Sequence, residues 1–364
     1  MIDFQPSEEQ ELVQETVRQF AENEIRPVAR ECDENGKLPG DVLAQAHELG
    51  LVANALPEAH GGGGERSAVL GALIAEELAW GDLAIALGIL SPALAALPIA
   101  QYGTEAQRAA ELPRWLGGTP VPGSLALVEP HFGADPFRPE TTATRADDGD
   151  GFVLDGRKCM VPWQDGDGPV LVFATEGETP QGFLVPRDAE GLEATPSDYM
   201  GIRALPTADL VLDRVRVPEG ARLGGAAGSD LGETIARGRV ALAALGVGVA
   251  RAAFEIARDY AREREAFGVK IAQKQAIAFK LADMAIEIDG CRLLTWEAAW
   301  RLDRGAEALR EATLAISQVR KVALEVADGA VQVLGGHGYI REYLPEQQLR
   351  NARGLSAFEC LALV

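Results

Sequence analysis

Two changes of hydrophobic period constrain this chain more than any other feature. Residues 1 to about 120 carry apolar side chains at helical spacing, residues from about Val121 onward carry them in short strand-like runs, and helical spacing resumes after the glycine-rich stretch Gly224-Gly225-Ala226-Ala227-Gly228. The last third is the most demanding part. Residues 271–302 and 306–333 are helical runs of about 30 residues, roughly 45 Å each at about 1.5 Å per residue, with alanine-rich faces that permit close helix contact. The predicted fold class is α+β. It comprises an N-terminal helical domain (1–120), a middle β-barrel or sandwich domain (121–222) and a C-terminal antiparallel four-helix bundle (223–364).

Local signals refine this outline. Ser7-x-x-Gln10 is a capping-box start, followed by Leu12, Val13, Val17, Phe20, Ile25 and Val28 at helical spacing, with Pro27 bending or closing the element. A second helix is predicted from about Asp41 to Leu49, ending at Gly50. Gly61 to Gly64 lack the Lys-Ser/Thr of a phosphate loop and read as a flexible connection. Leu83 to Ala100 is uncharged and about long enough to span a membrane, but Gly88, Pro92 and Pro98 interrupt it, so two short buried helices are expected. Strands are predicted at 152–154, 159–161, 170–173, 182–185 and 210–212, with a turn at Asp155-Gly156.

At 364 residues the chain exceeds what one core organises, and 47% apolar content is ample for burial. Lys+Arg 34 against Asp+Glu 55 gives a net charge of -21, which opposes nucleic-acid and anionic-membrane binding and requires any anionic ligand to find a local basic pocket. Cys32, Cys159, Cys291 and Cys360 are dispersed, which suits a reducing cytoplasm. His47, His60, His131 and His337 form no HExxH, and no metal site is expected. Met1 to Phe4 lack the basic region and apolar core of a signal peptide.

Three segments near the C-terminus carry a resemblance. They are Arg264-Glu265-Ala266-Phe267-Gly268, then Gln332 with Gly335-Gly336-His337-Gly338, then Arg350-Asn351-Ala352-Arg353 followed by Glu359 in Ala357-Phe358-Glu359-Cys360. In this order they resemble the flavin-dependent acyl-CoA dehydrogenase family, whose arrangement of helices, β domain and helices matches the whole chain. The resemblance implies FAD as cofactor, because no side chain accepts hydride. It implies α,β-dehydrogenation of an acyl-CoA thioester, with Glu359 taking the α-proton and FAD N5 the hydride. Burial of Glu359 against an apolar acyl chain is expected, as is polarisation of the thioester carbonyl by a backbone N–H near Glu359 and a flavin hydroxyl.

Further residues follow from the same resemblance. Arg264, Phe267 and Gln275 are implied to reach the FAD pyrophosphate of a neighbouring subunit, where a guanidinium fork suits paired phosphate oxygens. Gln332, Gly335 and Gly336 are implied at the other end of the dinucleotide. Arg239 is implied on the substrate side. Gly238 stands where some relatives carry an alternative base, leaving Glu359 without a competitor. A dimer or tetramer is implied, with an electron-transfer flavoprotein as acceptor.

The family's flavin-ring segment reads differently here. Val128-Glu129-Pro130, Gly133-Ala134-Asp135 and Met160-Val161-Pro162 stand for Thr-Glu-Pro, Gly-Ser-Asp and Trp-Ile-Thr/Ser, so Val128, Ala134, Met160 and Pro162 replace four polar or aromatic contacts. Cys360-Leu361 replaces Gly-Thr after the base, and the family's closing helix is not expected. Cys360 reads as a small packing residue, with no basic neighbour in sequence to activate a thiol. Three readings remain open: a homo-oligomeric dehydrogenase, one subunit of a heteromeric dehydrogenase whose paralogous partner completes the flavin site, or a non-catalytic acyl-CoA-binding relative. Acyl length and shape are not legible.

Overall fold

The computed structural model describes residues 5–64 and 66–364; Met1 to Phe4, on which the leader argument rests, lie outside them. The N-terminal helices are α1 (Glu8–Phe20), α2 (Ala29–Asn35), α3 (Gly40–Glu48), α4 (Ala68–Gly81), α5 (Leu83–Leu90), α6 (Ala93–Tyr102) and α7 (Glu105–Glu111). Strands β1 (Ser124–Ala126), β2 (Thr142–Arg145), β3 (Phe152–Pro162), β4 (Val170–Glu176), β5 (Thr179–Val185), β6 (Leu192–Ser197) and β7 (Thr207–Val217) follow. Next come α8 (Leu231–Glu263), a hairpin of β8 (Glu265–Ala266) and β9 (Val269–Lys270), α9 (Gln275–Asp303), α10 (Leu309–Leu334) and α11 (Pro345–Leu355). The fold class is α+β, in the order that the change of period predicts.

The capping box is formed: the Ser7 N–H donates to Gln10 Oε1 at 2.9 Å and the Gln10 N–H to Ser7 Oγ at 3.2 Å. After α1 the chain widens into a π-turn over Ala21–Ile25 and restarts as α2, a charged seven-residue helix with too little apolar periodicity to announce itself. The glycines at 61–64 form a compact turn rather than a flexible link. A Cβ on Gly62 would lie 2.2 Å from the Leu56 carbonyl oxygen. Residues 83–102 and α8 are long and apolar enough to cross a membrane, yet 89% and 83% of those windows are buried inside the protein. Both are core helices.

All seven middle strands belong to one sheet, in the order β1-β4-β2-β3-β7-β6, with β5 on the other edge of β4. The Asp155-Gly156 turn is corrected: β3 runs unbroken from Phe152 to Pro162, and its pairing with β7 shifts register between Leu154 and Gly156 and again between Lys158 and Val161. A bulge bends a strand without ending it, and a turn-like dipeptide is consistent with either. Strands β1, β2 and β6 escaped the sequence reading because they are short or exposed.

One ion pair lies inside the sheet. Lys158, 0% exposed, donates to Glu129 Oε1 at 2.8 Å and to the Leu127 carbonyl at 3.2 Å. Glu129 also accepts from the Thr141 N–H (2.8 Å), the Thr141 hydroxyl (2.6 Å) and the Glu140 N–H (2.8 Å). Burial raises the Glu129 pKa, but Lys158 and the Thr141 donors outweigh it and hold the carboxyl at about 2.

Helix α8 runs through the centre of the C-terminal part. Arg239 meets Thr313 of α10 at one end, and the Tyr260 hydroxyl lies 3.1 Å from His337 Nδ1 just past α10 at the other, so α8 and α10 run parallel. Glu76 and Glu77 of α4 pair with Arg251 of α8, and Glu76 also with Arg292 of α9, tying the N-terminal helices to the bundle.

The Glu129 carboxyl is held below the 4.5 of a free glutamate, so its contribution is complete above pH 4.5 and is lost as pH falls toward 2. Glu129→Gln leaves Lys158 buried without a counter-ion. It is expected to cost about 3–5 kcal/mol and to flatten the acid limb of stability, read by denaturant unfolding from pH 7 to 3.

Candidate active site

Past α11 the chain turns at Ser356-Ala357 and delivers Phe358 and Glu359 to the side of the bundle. Phe358 is buried and meets Tyr199 edge-on, with ring centroids 5.8 Å apart. The Glu359 side chain is only 10% exposed, because each carboxylate oxygen is taken by an arginine. Arg239 Nε donates to Oε1 at 2.6 Å and Arg320 Nη2 to Oε2 at 2.8 Å. Arg239 also donates to the Thr313 hydroxyl at 2.7 Å, while Arg320 reaches the Phe358 carbonyl as well. The expected apolar surroundings of Glu359 are thus replaced by a two-guanidinium brace, and Arg239, assigned to the substrate side, holds the carboxylate itself. Charge-assisted bonds of this kind orient a carboxylate strongly.

The backbone beside Glu359 is strained. Cys360 sits at φ 52° and is fully buried, its sulfur pressed on α8 where a Cβ on Gly238 would lie 2.6 Å from it and 3.1 Å from the Cys360 Cα. Glycine at 238 therefore makes room for the loop that carries the carboxylate. Burial, and next the charge of Glu359, push the Cys360 thiol pKa up, so it is a packing group and not a nucleophile.

The flavin-ring segment of the middle sheet comes to the same end of the bundle. The Arg239 guanidinium lies 5.3 Å from the Phe137 ring, and Phe137 follows the Gly133-Ala134-Asp135 turn, where its N–H donates to Asp135 Oδ1 at 3.0 Å. The Val128 carbonyl accepts from the Cys159 N–H at 2.9 Å, placing Val128 beside Met160. Met160 adopts φ 58° inside β3 and packs, like Tyr199, on the bundle core that contains Phe358. Pro162 is buried, with its carbonyl taken by the Ser124 hydroxyl at 2.5 Å, so it faces β1.

The other motif residues gather elsewhere. Arg264, Phe267 and Gln275 lie exposed on and after the β8–β9 hairpin, and Gln332, Gly335 and Gly336 lie exposed where α10 ends, next to Tyr260 and His337. No side-chain hydrogen bond or ion pair engages Arg264 among the described residues. Phe267, at φ 56°, is 95% exposed. Gly335 takes φ 59°, and a Cβ on it or on Gly336 would meet nothing within 4 Å, so the backbone there is open to a ligand. From Arg239 to Tyr260 is 21 residues of α8, or about 30 Å of helix. One chain thus brings Glu359 and the ring segment together and leaves its own dinucleotide motif about 30 Å away.

Glu359 thus lies on the helical bundle beside the β domain, about 30 Å of helix from the exposed Arg264 and the glycines at 335–336. The comparisons with known proteins give the class. The acyl-CoA dehydrogenase N-terminal, middle and C-terminal domains match residues 7–119, 124–215 and 230–359. Among relatives, a probable acyl-CoA dehydrogenase, YngJ of Bacillus subtilis, is 36% identical over 97% of this chain and 94% of its own. The caffeyl-CoA reductase-Etf complex subunit CarC of Acetobacterium woodii is 32% identical over 97% and 95%. Among solved structures, butyryl-CoA dehydrogenase from Megasphaera elsdenii superposes with a TM-score of 0.89, at 31% identity over 98% of this chain and 96% of that one.

The chain belongs to the acyl-CoA dehydrogenase family. It is an oxidoreductase acting on acyl-CoA, of a family that uses FAD. The residues fit that cofactor at its phosphate end, where an unpaired guanidinium and open glycine backbone stand together; at the ring end the fit rests on backbone and on Met160.

Sequence reasoning missed Thr313 and Arg320. Both lie on one face of α10, two turns apart, and an arginine and a threonine inside an alanine-rich helix were the available signal. It also passed over the Glu129–Lys158 pair, which nothing in linear spacing marks. Gly238→Ala is expected to push the Cys360 backbone and the carboxylate out of register. Dehydrogenase activity should fall at least about tenfold, the size of a misplacement effect, with a melting temperature within a few degrees of wild type.

Proposed function

We propose that the protein catalyses α,β-dehydrogenation of an acyl-CoA thioester to the enoyl-CoA, with Glu359 as the base. The observation that carries this reading is the nearly buried Glu359 carboxylate, oriented through both oxygens by Arg239 and Arg320 beside the ring segment of the β domain. Each oxygen retains a free lone pair for the α-proton. As Glu359 becomes neutral, the two guanidiniums remain as positive charge beside the enolate that develops on the thioester, which is where electrostatic stabilisation is useful. When bound, FAD supplies the hydride acceptor. Val128, Ala134 and Met160 would flank its ring, while Arg264, Phe267, Gln275, Gln332, Gly335 and Gly336 would hold its phosphates and adenosine.

The 30 Å between motif and base supports a shared cofactor, each copy's Arg264 end serving a neighbour's Glu359, in a dimer or tetramer. Electrons would pass to an electron-transfer flavoprotein, in line with the Etf complex named for the Acetobacterium relative. Four free, buried cysteines suit a cytoplasmic location. A heteromeric dehydrogenase is the second reading, favoured by the lack of side-chain donors at Val128, Ala134, Met160 and the inward-facing Pro162.

The test is the visible spectrum of the protein purified alone, then mixed with butyryl-CoA without oxygen. A flavin band that bleaches supports the homo-oligomer, and a colourless protein that takes up no FAD until a paralogous subunit is added supports the heteromer. Glu359→Gln is expected to keep acyl-CoA binding and lose about 10²–10⁴ in turnover; wild-type turnover in that variant would remove Glu359 from the mechanism. Arg264→Gln should lower flavin content after gel filtration without altering the melting profile of the flavin-free protein.

A further inference from the structure

Away from Glu359, three side chains able to hold a metal ion converge at the neck of the loop from Glu129 to Glu140. His131 Nε2 lies 3.5 Å from Glu129 Oε2 and 3.5 Å from Glu140 Oε2, and one ligand atom from each of the three lies within 4.8 Å of the others. Positions 129, 131 and 140 match no spaced metal motif and meet only because the loop folds back. Backbone bonds hold the neck: the His131 N–H donates to the Glu129 carbonyl at 2.9 Å, and the Glu140 N–H to Glu129 Oε2 at 2.8 Å. The two oxygens of Glu129 differ. Oε1 is taken by Lys158 and by both Thr141 donors, which fix the carboxylate, whereas Oε2 accepts a single amide and keeps a lone pair. The His131 ring makes no hydrogen bond among the described residues.

We propose that Glu129, His131 and Glu140 bind a divalent transition-metal ion of the Zn²⁺ class, with three protein ligands and a fourth position open to water. Ligand atoms about 2.0–2.2 Å from a tetrahedral ion lie about 3.3–3.6 Å from one another, which is the separation on both sides of His131. An N–H···O bond spans about 2.7–3.2 Å, so direct pairing of the imidazole with either carboxylate is the poorer match to the geometry. The imidazole selects against Mg²⁺ and Ca²⁺, which take oxygen ligands. Charge favours a cation as well: Lys158 balances Glu129, Glu140 pairs with no Lys or Arg among the described residues, and the chain carries -21. Glu129 is ionised at neutral pH, so no proton competes for its oxygen. The ion closes the neck of a loop that includes Phe137, 5.3 Å from the Arg239 guanidinium that holds Glu359. Its role is to fix that loop and not to take part in the reaction.

The experiment titrates the tag-free, full-length protein, dialysed free of metal, with Zn²⁺ near neutral pH by calorimetry, beside His131→Ala and Glu140→Gln. Both substitutions fall at exposed positions and leave the core intact. One Zn²⁺ per chain is expected, with the affinity falling at least about tenfold in each variant, a loss that removing even an outer partner of a metal site produces. Zn²⁺ is expected to raise the melting temperature of the wild type and to raise it less in the variants, because an ion that binds only the folded chain stabilises it. Co²⁺ in place of Zn²⁺ is expected to give the intense visible difference bands of a four-coordinate ion, and excess Mg²⁺ to leave them unchanged. A wild type that takes up no Zn²⁺ overturns the site. Equal affinity in the wild type and both variants overturns it too, as an adventitious ion only, and a sulfur-to-cobalt charge-transfer band overturns it in favour of a cysteine. None of these outcomes bears on the dehydrogenase reading, which the flavin spectrum tests separately.

Discussion

The architecture depends on how closely α8 approaches its neighbours. Its buried face is rich in alanine and glycine, and two glycines mark the tightest approaches: a Cβ on Gly248 would lie 2.3 Å from the Glu76 carbonyl oxygen of α4, and one on Gly246 would lie 2.3 Å from a Val319 methyl of α10. Small residues let dispersion contacts form along the full length of three helices at once. The same closeness explains the charges within the seam. Glu76, Glu77, Arg251 and Arg292 are buried or nearly so, and such groups persist in an interior only when paired and hydrogen-bonded, as these are. They fix the register of α4 against α8 and α9, which small apolar faces alone would leave free to slide.

That register reaches the Glu359 carboxylate. Arg239 is one residue past Gly238 on α8, Thr313 and Arg320 are on α10, and Glu359 needs both helices in place before its two oxygens find partners. A glutamate near a chain end would ordinarily lie in solvent with many rotamers. Here the side-chain entropy lost on fixing it is offset by two charge-assisted bonds, and its backbone is pinned through the Phe358 carbonyl. Orientation of the Glu359 carboxylate is therefore a property of the whole bundle rather than of the loop.

Much of this was legible in the sequence. The switch of period from helix to strand and back carries the fold, since each element buries a face of its own periodicity, and the ordered motifs around Arg264, Gly335 and Glu359 carry the family. What stayed hidden has physical reasons. A bulged strand such as β3 contains a turn-like Asp155-Gly156 in its middle, and only its pairing with β7 tells bulge from turn. Arg320 and Glu359 are 39 residues apart and meet only because α11 folds back on α10. Helix α2 has charges where a periodic apolar face would have revealed it. The separation of the Arg264 motif from Glu359 is likewise a length of helix, visible only once α8 is seen to run unbroken between them.

Backbone strain links these places. Non-glycine residues at left-handed φ are costly, by about 1–3 kcal/mol each, and persist where surrounding contacts over-determine them. Three of the five described here are Met160 in β3, Phe267 in the β8–β9 hairpin and Cys360 beside Glu359. Met160 is held by the bulge in β3, and Cys360 by the absence of a side chain at Gly238. Phe267 is held by the hairpin itself: it and Gly268, at φ 56° and 79°, are the two turn residues between the Ala266–Val269 pair, a turn that needs left-handed φ at both positions. The hairpin thus presents an almost fully exposed aromatic ring, with Lys274 Nζ 5.8 Å from its centroid.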